Sequence, residues 1–174
     1  MPLHRPDRYF DRISAIDVGK DVIGAGYSCV LLDMDNTILS RQTHDVPRDV
    51  RAWLARACEA GVDLCIVSNN WHASPYEWGG KLGIPVVAKA CKPLPHGFLR
   101  ARAMMGASRS STVVVGDQIS TDILGAHLLG MAGYLVCPLA TVDLKHTKVI
   151  RAFENALMGE RQPETAMVES KRTQ

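Results

Sequence analysis

Two aspartates, Asp33 and Asp35, lie one residue apart directly after the apolar run VLL in the segment VLLDMDNTIL. Two carboxylates this close repel each other, and removing each one from water costs free energy. The residues before them have the composition of a buried strand, so the two charges are expected at the edge of a folded core. The pair therefore indicates a site where a partner stabilises their combined negative charge.

Other polar side chains follow the later strand-like segments. Ser68 and Asn69 come directly after an apolar run that ends at Val67, and Asp117 comes after the run VVVG. In an open parallel sheet, ligands bind beyond the carboxyl ends of the strands, at the topological switch point. We therefore expect these side chains to converge with the aspartate pair on one site.

The carboxylates predict a site for a hard divalent cation. Asp33, Asp35 and Asp117 together carry too much negative charge to lie side by side without a cation. The five cysteines show no CxxC spacing and no histidine cluster accompanies the aspartates, so oxygen ligands and Mg2+ are favoured over zinc. Magnesium sites of this kind commonly include a substrate phosphate, which makes phosphoryl chemistry the natural interpretation.

The remaining polar residues fit that chemistry. Lys92, in the segment ACKPLPHGF, supplies a point positive charge for a phosphate or for the nucleophile. The hydroxyl group of Ser68 and the backbone amide of Asn69 are donors for phosphate oxygens. A carboxylate that attacks phosphorus forms an aspartyl-phosphate, while a neighbouring carboxyl group protonates the leaving oxygen and later activates water.

Short apolar runs alternate with helix-like segments over most of the chain. The predicted strands cover 29–32, 62–67, 85–88, 112–115 and 132–136, and the predicted helices cover 47–60, 75–82, 95–105, 121–129 and 148–158. The strands are continuous apolar runs, as strands covered on both faces are. The pattern predicts an α/β protein, a Rossmann-like three-layer sandwich with a central parallel sheet of about five strands.

The chain length of 174 residues allows one well-packed domain. We expect a helical N-terminal extension over residues 1–28, which packs on the core through an apolar face that includes Tyr9 and Ile16. The catalytic domain is predicted over residues 29–158, and a flexible C-terminal tail over residues 159–174.

Composition excludes several classes of function. The net charge is +2 and the basic residues are scattered without an aromatic platform, so no nucleic-acid partner is expected. No apolar run approaches the roughly 20 residues that span a bilayer, and the first 16 residues lack the apolar core of a secretory signal. We therefore predict a cytoplasmic protein. The aromatic and basic residues near the N-terminus add the hypothesis of peripheral contact with anionic lipid.

Four short motifs, in this order, resemble those of the haloacid-dehalogenase-like phosphatase superfamily. DMDNT at 33–37 resembles the DxDxT motif, Ser68 in IVSNN resembles the second motif, Lys92 in KPLPHGF the third, and GDQISTD at 116–122 the fourth. An ordered set of four motifs, each after the expected element, is far more specific than a lone DxDxT. The resemblance implies a magnesium-dependent phosphomonoesterase.

The resemblance also implies the catalytic and metal-binding roles. Asp33 would be the nucleophile and a magnesium ligand. Asp35 would be the general acid and base and would offer its backbone carbonyl to the metal. Lys92 would stabilise the charge on Asp33 and on the phosphate, and Asp117 would bind magnesium.

Further matching positions would support these groups. Thr37 and Ser68 would hold the phosphoryl group and its neighbours. Asp122 would support the metal shell or orient Lys92, and a carboxylate at a helix N-terminus is also favoured by the helix dipole.

Finer features resemble the subfamily IIIA branch often called YqeG-like. They are DNT in the first motif, VSNN in the second, DILGAHLLG after the fourth, and a later segment at 147–154. That branch is similar to the mitochondrial and plastid phosphatidylglycerophosphate phosphatases of fungi and plants. The resemblance implies phosphatidylglycerophosphate, and hence a membrane phospholipid, as a candidate substrate.

The spacing between motifs leaves the substrate open. Residues 37–47 and 68–92, where relatives carry cap domains, are too short for a cap, so an open site suited to a large substrate is expected. A soluble sugar, nucleotide or polynucleotide-end phosphate is the alternative, and a non-catalytic binding module on the same fold is a third hypothesis. An oligomer in which a partner subunit closes the site is also compatible with the sequence.

Three aromatic residues after VSNN have two interpretations. Trp71, Tyr76 and Trp78 are candidates for an apolar rim beside the site, and a helix packed on the sheet explains them about as well.

Overall fold

A six-stranded parallel sheet forms the centre of the protein in a computed structural model, which describes residues 2–140 together with Pro163 and Glu164. The spatial order of the strands is β1-β6-β5-β2-β3-β4. Their bounds are β1 Arg8–Phe10, β2 Cys29–Leu32, β3 Asp63–Val67, β4 Val86–Val87, β5 Thr112–Gly116 and β6 Ala132–Val136. The predicted α/β class and parallel sheet are confirmed.

Four α-helices follow strands β2 to β5 in turn. They are α1 Arg48–Glu59, α2 Ser74–Leu82, α3 Pro95–Met104 and α4 Leu124–Leu128. Pro47 precedes α1, and Gly83 ends α2 in the left-handed conformation with φ of 67°. The helix predicted over 121–129 instead begins as a π-helical turn, Ile119–Ile123, and continues as α4.

Alternate residues of each strand enter two separate layers of the core. Val30 and Leu32 of β2 pack with Trp53 of α1, whereas Leu31 packs with Phe98 of α3 on the other face. The period of two is the ordinary consequence of the pleat of a strand, and both faces are apolar because both carry helices. Because every strand pair is parallel, the loops that follow the strands leave the sheet at the same edge.

The N-terminal segment is only partly helical, and the predicted helical extension is wrong for Arg8–Phe10. Arg8–Phe10 forms a strand at the open edge of β6, followed by a 3₁₀ turn, Ile13–Ala15, and a π-helical turn, Val18–Ile23. The apolar spacing at residues 10, 13 and 16 resembles that of a helix, but Arg8–Phe10 pairs with the open edge of β6, and the carbonyl of Phe10 accepts from the amide of Cys137 at 3.0 Å. Trp53 donates from Nε1 to the carbonyl of Ile16 at 2.7 Å and fastens the segment to α1.

The topological switch point lies between β2 and β5. From β2 the chain winds through α1 to β3 and then β4, while β5 and β6 lie on the opposite side of β2. The loops after β2 and β5 therefore diverge and leave a crevice at the carboxyl edge of the sheet. The helix predicted over 148–158 and the tail predicted over 159–174 lie outside the described residues, apart from Pro163 and Glu164.

Candidate active site

Asp33 stands at the carboxyl end of β2, in the crevice of the switch point. Its backbone amide donates to the carbonyl of Val115 at 2.9 Å, which extends the β2–β5 ladder by one residue and fixes the side chain. Thr37 Oγ1 donates to one carboxylate oxygen at 3.2 Å, and Lys92 Nζ donates to the other at 2.5 Å. Both oxygens of the predicted nucleophile are therefore oriented.

A tight turn after β2 brings Thr37 back to Asp33. Asn36 has a φ of 64°, a conformation that asparagine tolerates better than most residues, and its amide donates to the carbonyl of Leu39 at 2.7 Å. The first predicted motif is thus a local structure in which the sequence DMDNT places hydroxyl and carboxylate together.

Lys92 is the buried positive charge of the site. Its side chain is 3% exposed and lies between Asp33 and Asp122, with Nζ 2.7 Å from Asp122 Oδ1. Burial lowers the pKa of Lys92, but the carboxylates of Asp122 and Asp33 outweigh that effect and raise the pKa above its ordinary value. Lys92 is therefore a charged ammonium group across the physiological pH range.

Three buried carboxylates form the acidic cluster of the site, which comprises Asp33, Asp117 and Asp122. Each offers an oxygen, and these oxygens lie within 4.8 Å of one another. Three ionised carboxylates and one ammonium group leave a net charge of about −2, which is costly in a buried site. The oxygen donors and the excess charge both fit a hard divalent cation.

Asp122 forms a hydrogen-bonded ion pair with Lys92. Its Oδ1 accepts from Lys92 Nζ, and its Oδ2 accepts from the amide of Gln118 at 3.2 Å. Burial raises the pKa of Asp122, and Lys92 opposes the shift. A Cβ atom on Gly116 would lie 2.3 Å from the Asp122 carboxyl group, so this close approach requires glycine at the end of β5. The geometry matches the predicted orientation of Lys92 and also places Asp122 within reach of a metal.

Asp35 lies outside the acidic cluster, and its side chain is partly exposed. Arg41 lies on the short loop that follows the first motif, and its Nε is 3.8 Å from Asp35 Oδ1. Burial raises the pKa of Asp35, the charge of Asp33 adds to the rise, and Arg41 opposes it. A raised pKa suits a group that must give and take a proton near neutral pH. Arg41 was not among the predicted site residues, although a basic residue so close to DxDxT was a usable signal.

Ser68 and Asn69 follow β3, the neighbour of β2. Ser68 is buried, and its Oγ accepts from the amide of Asn70 at 3.0 Å. Asn69 was predicted to offer its backbone amide to phosphate, but its side chain has a different contact. Asn69 Oδ1 accepts from the backbone amide of Lys92 at 2.6 Å, and Asn69 Nδ2 donates to the backbone carbonyl of Lys92 at 3.0 Å. Sequence reasoning missed this pair of bonds because the two residues are 23 positions apart.

The connections between the motifs are short. Within residues 2–140, the chain from Asp33 to Pro47 forms turns, irregular loop and one isolated bridge between Asp35 and Leu39, and the only helix or strand between β3 and β4 is α2. Neither connection holds a cap domain, as predicted. In the same part of the chain, none of the helices combines the length and the apolar character needed to cross a bilayer.

Comparison with known proteins agrees with this site. A family model described as HAD-hydrolase-like matches residues 90–138, which include Lys92, Asp117 and Asp122. The probable phosphatase YqeG of Bacillus subtilis is 33% identical over 129 residues, which are 74% of this chain and 75% of that protein. A chloroplastic phosphatidylglycerophosphate phosphatase 1 of Chlamydomonas reinhardtii is 31% identical over 126 residues, 67% of this chain but only 47% of that protein.

Solved structures share the fold. The cobalt-bound deoxy-D-mannose-octulosonate 8-phosphate phosphatase of Haemophilus influenzae has a TM-score of 0.53 at 10% identity, covering 77% of this chain and 88% of that one. An uncharacterized protein of Listeria monocytogenes also has a TM-score of 0.53, at 19% identity, covering 67% of this chain and 84% of that one.

The fold and the site thus define a hydrolase of the haloacid-dehalogenase-like type. The chain belongs to the YqeG-like branch of that superfamily, and it is a phosphatase of phosphoric monoesters. Phosphatases of this superfamily generally use a divalent metal, and the acidic cluster is compatible with one.

Proposed function

We propose that the protein is a magnesium-dependent phosphomonoesterase of subfamily IIIA that works through an aspartyl-phosphate on Asp33 and acts on phosphatidylglycerophosphate. The observation that carries the mechanism is the orientation of Asp33. At the switch point of the sheet, one of its oxygens accepts a hydrogen bond from Thr37 and the other accepts one from Lys92. A buried carboxylate held from two sides is preorganised for attack on a phosphorus atom beside it.

The reaction proceeds in two displacements. A carboxylate oxygen of Asp33 forms a bond to phosphorus as the bond from phosphorus to the leaving oxygen breaks, and Asp35 donates a proton to that oxygen. Asp35, now ionised, takes a proton from water as the water oxygen attacks phosphorus, which releases inorganic phosphate and restores Asp33. Lys92 stabilises the negative charge on the equatorial oxygens, and Ser68 and the Asn69 amide donate to them.

Magnesium is the metal that we propose for the acidic cluster. Asp33 and Asp117 would hold it through their side chains and Asp35 through its backbone carbonyl, while Asp122 holds Lys92 and supports the shell. The bound ion would neutralise charge on the phosphoryl oxygens and on the nucleophile. The all-oxygen donor set favours Mg2+ over zinc.

Two observations support a lipid substrate. The chloroplastic relative is a phosphatidylglycerophosphate phosphatase. The described chain also leaves the site uncapped, which suits a phosphate carried on a large molecule or at a surface. The same proposal places the enzyme in the cytoplasm with peripheral membrane contact. We expect no nucleic-acid partner, and an oligomer is compatible with the proposal.

The decisive experiment measures phosphate release from phosphatidylglycerophosphate in mixed detergent micelles, with and without Mg2+. Asp33→Asn is the matched control, because the amide keeps the shape of the carboxylate but is a far poorer nucleophile. Strong, Mg2+-dependent release that the variant lacks supports both the mechanism and the lipid. Release from a generic aryl phosphate alone, lost in the variant, would keep the mechanism and discard the lipid.

A further inference from the structure

Large apolar side chains are exposed beside the active site. Among the described residues, the four most exposed large apolar side chains are Trp71 at 65%, Leu94 at 61%, Leu128 at 54% and Tyr76 at 52%. Three of these four, Trp71, Tyr76 and Leu94, lie between the carboxyl end of a strand and the first turn of the next helix, and we call these three the rim. Exposed apolar residues that are scattered singly need no explanation, but a group of them at one edge of the sheet indicates an interaction site.

Two members of the rim are tied to the catalytic lysine. Trp71 comes two residues after Asn69, and Leu94 comes two residues after Lys92. The two hydrogen bonds between the Asn69 side chain and the Lys92 backbone join these loops. Since consecutive Cα atoms are about 3.8 Å apart, the Cα atoms of Trp71 and Leu94 each lie within about 8 Å of the Cα atom of a joined residue. The rim therefore borders the mouth of the site.

Charge around the rim is positive. Lys89 Nζ lies 5.4 Å from the centroid of the Trp71 ring, in a cation–π contact at the surface. Residues 69–100, which contain both loops, carry three exposed basic side chains, Lys81, Lys89 and Arg100, and one acidic side chain, Glu77. An exposed tryptophan beside a lysine is the combination that favours the interface between water and an anionic bilayer.

From these observations we propose that the rim docks on the surface of an anionic phospholipid bilayer and brings the mouth of the active site to the lipid headgroups. The proposal rests on the proposed function, because only a phosphate held in a membrane requires the site to face one. It differs from the N-terminal hypothesis, since Phe10, Ile13 and Ile16 are buried in the core and offer no apolar surface.

The test of docking measures binding to vesicles of phosphatidylglycerol and phosphatidylcholine by co-sedimentation. We compare the wild-type protein with the double variant Trp71→Ala/Leu94→Ala and with Met104→Ala. Met104 is a matched control because it is 48% exposed, yet it ends α3 about 14 Å along the helix from Pro95. We expect the double variant to bind at least about tenfold more weakly and the control to bind like wild type.

Fluorescence locates the contact. Trp53 is buried and Trp78 is partly buried, so a vesicle-induced blue shift should come from Trp71 and should be absent in Trp71→Phe. Equal vesicle binding by the wild-type protein and the double variant, or an unchanged blue shift in Trp71→Phe, overturns the proposal. A double variant that loses self-association instead of vesicle binding identifies the rim as an interface between copies, which also overturns it.

Activity separates this inference from the proposed function. We expect the double variant to lose at least about tenfold in phosphatidylglycerophosphate hydrolysis on vesicles but to hydrolyse a water-soluble aryl phosphate at the wild-type rate. Equal loss on both substrates contradicts docking. A wild-type protein that binds vesicles through the rim but leaves the lipid intact even in micelles keeps docking and refutes the lipid substrate.

Discussion

The side chain of Asn69 should set the rate of catalysis through the position of Lys92. Asn69→Ala removes both hydrogen bonds that hold the Lys92 backbone, at 2.6 and 3.0 Å. A hydrogen bond of this type contributes about 0.5–1.5 kcal/mol, so the pair contributes about 1–3 kcal/mol. If that free energy is expressed in the transition state, kcat falls between about 5-fold and about 150-fold.

The assay is steady-state hydrolysis of an aryl phosphate at saturating Mg2+. Because Lys92 acts on the charge that develops during phosphoryl transfer, the loss should appear in kcat, with KM changed less than about threefold. Asn69→Asp keeps the acceptor for the Lys92 amide but loses the donor to its carbonyl, so its kcat should lie between those of Asn69→Ala and wild type.

A control variant far from the site separates the positioning role of Asn69 from a general effect of substitution on the enzyme. Ser110→Ala, on the loop before β5 at the opposite edge of the sheet, is the control and should leave kcat unchanged. A kcat for Asn69→Ala within twofold of wild type would refute the reasoning. A KM that rises while kcat stays constant would also refute it, because the side chain of Asn69 would then act in substrate binding and not in the transition state.

Other perturbations test the buried charges and the N-terminal segment. Lys92→Met leaves two buried carboxylates without their ammonium partner. The free energy of unfolding in urea should therefore fall by about 3–5 kcal/mol, and activity should be lost. An unchanged free energy of unfolding would contradict the buried ion pairs. Asp117→Asn should raise the Mg2+ concentration for half-maximal activity at least about tenfold, and an unaltered Mg2+ titration would remove Asp117 from the metal site. Trp53→Phe leaves the buried carbonyl of Ile16 without its donor and should cost about 1–3 kcal/mol in thermal unfolding, with wild-type kcat at 25 °C as the sign that the site is intact.

Most elements of the sheet were predictable because each is a short local pattern. The apolar run before Asp33, the proline before α1 and the glycine after α2 mark boundaries that the structure confirms within one or two residues. The N-terminal strand was not predictable, because residues 10, 13 and 16 fit a helix equally well. Arg8–Phe10 pairs as a strand only because β6 has an open edge, and β6 lies more than 100 residues further along the sequence.

The chemistry of the site divides in the same way. The sequence by itself determined which groups are available: an aspartate pair with a threonine close behind it, a lysine, and two aspartates after a later strand. It also determined that strands end at those residues, because apolar runs stop there. Local residue order is enough for these conclusions, since a strand and the turn after it depend mainly on neighbouring residues.

Tertiary structure alone decided how those groups combine. The sheet order, with β5 beside β2, places Asp117 and Asp122 next to Asp33, although more than 80 residues separate them in sequence. Packing also selected the ammonium of Lys92 as the partner of two carboxylates and the side chain of Asn69 as the support of its backbone. Such contacts depend on distances between elements that local propensity does not encode, so burial and charge balance in the folded chain determined them.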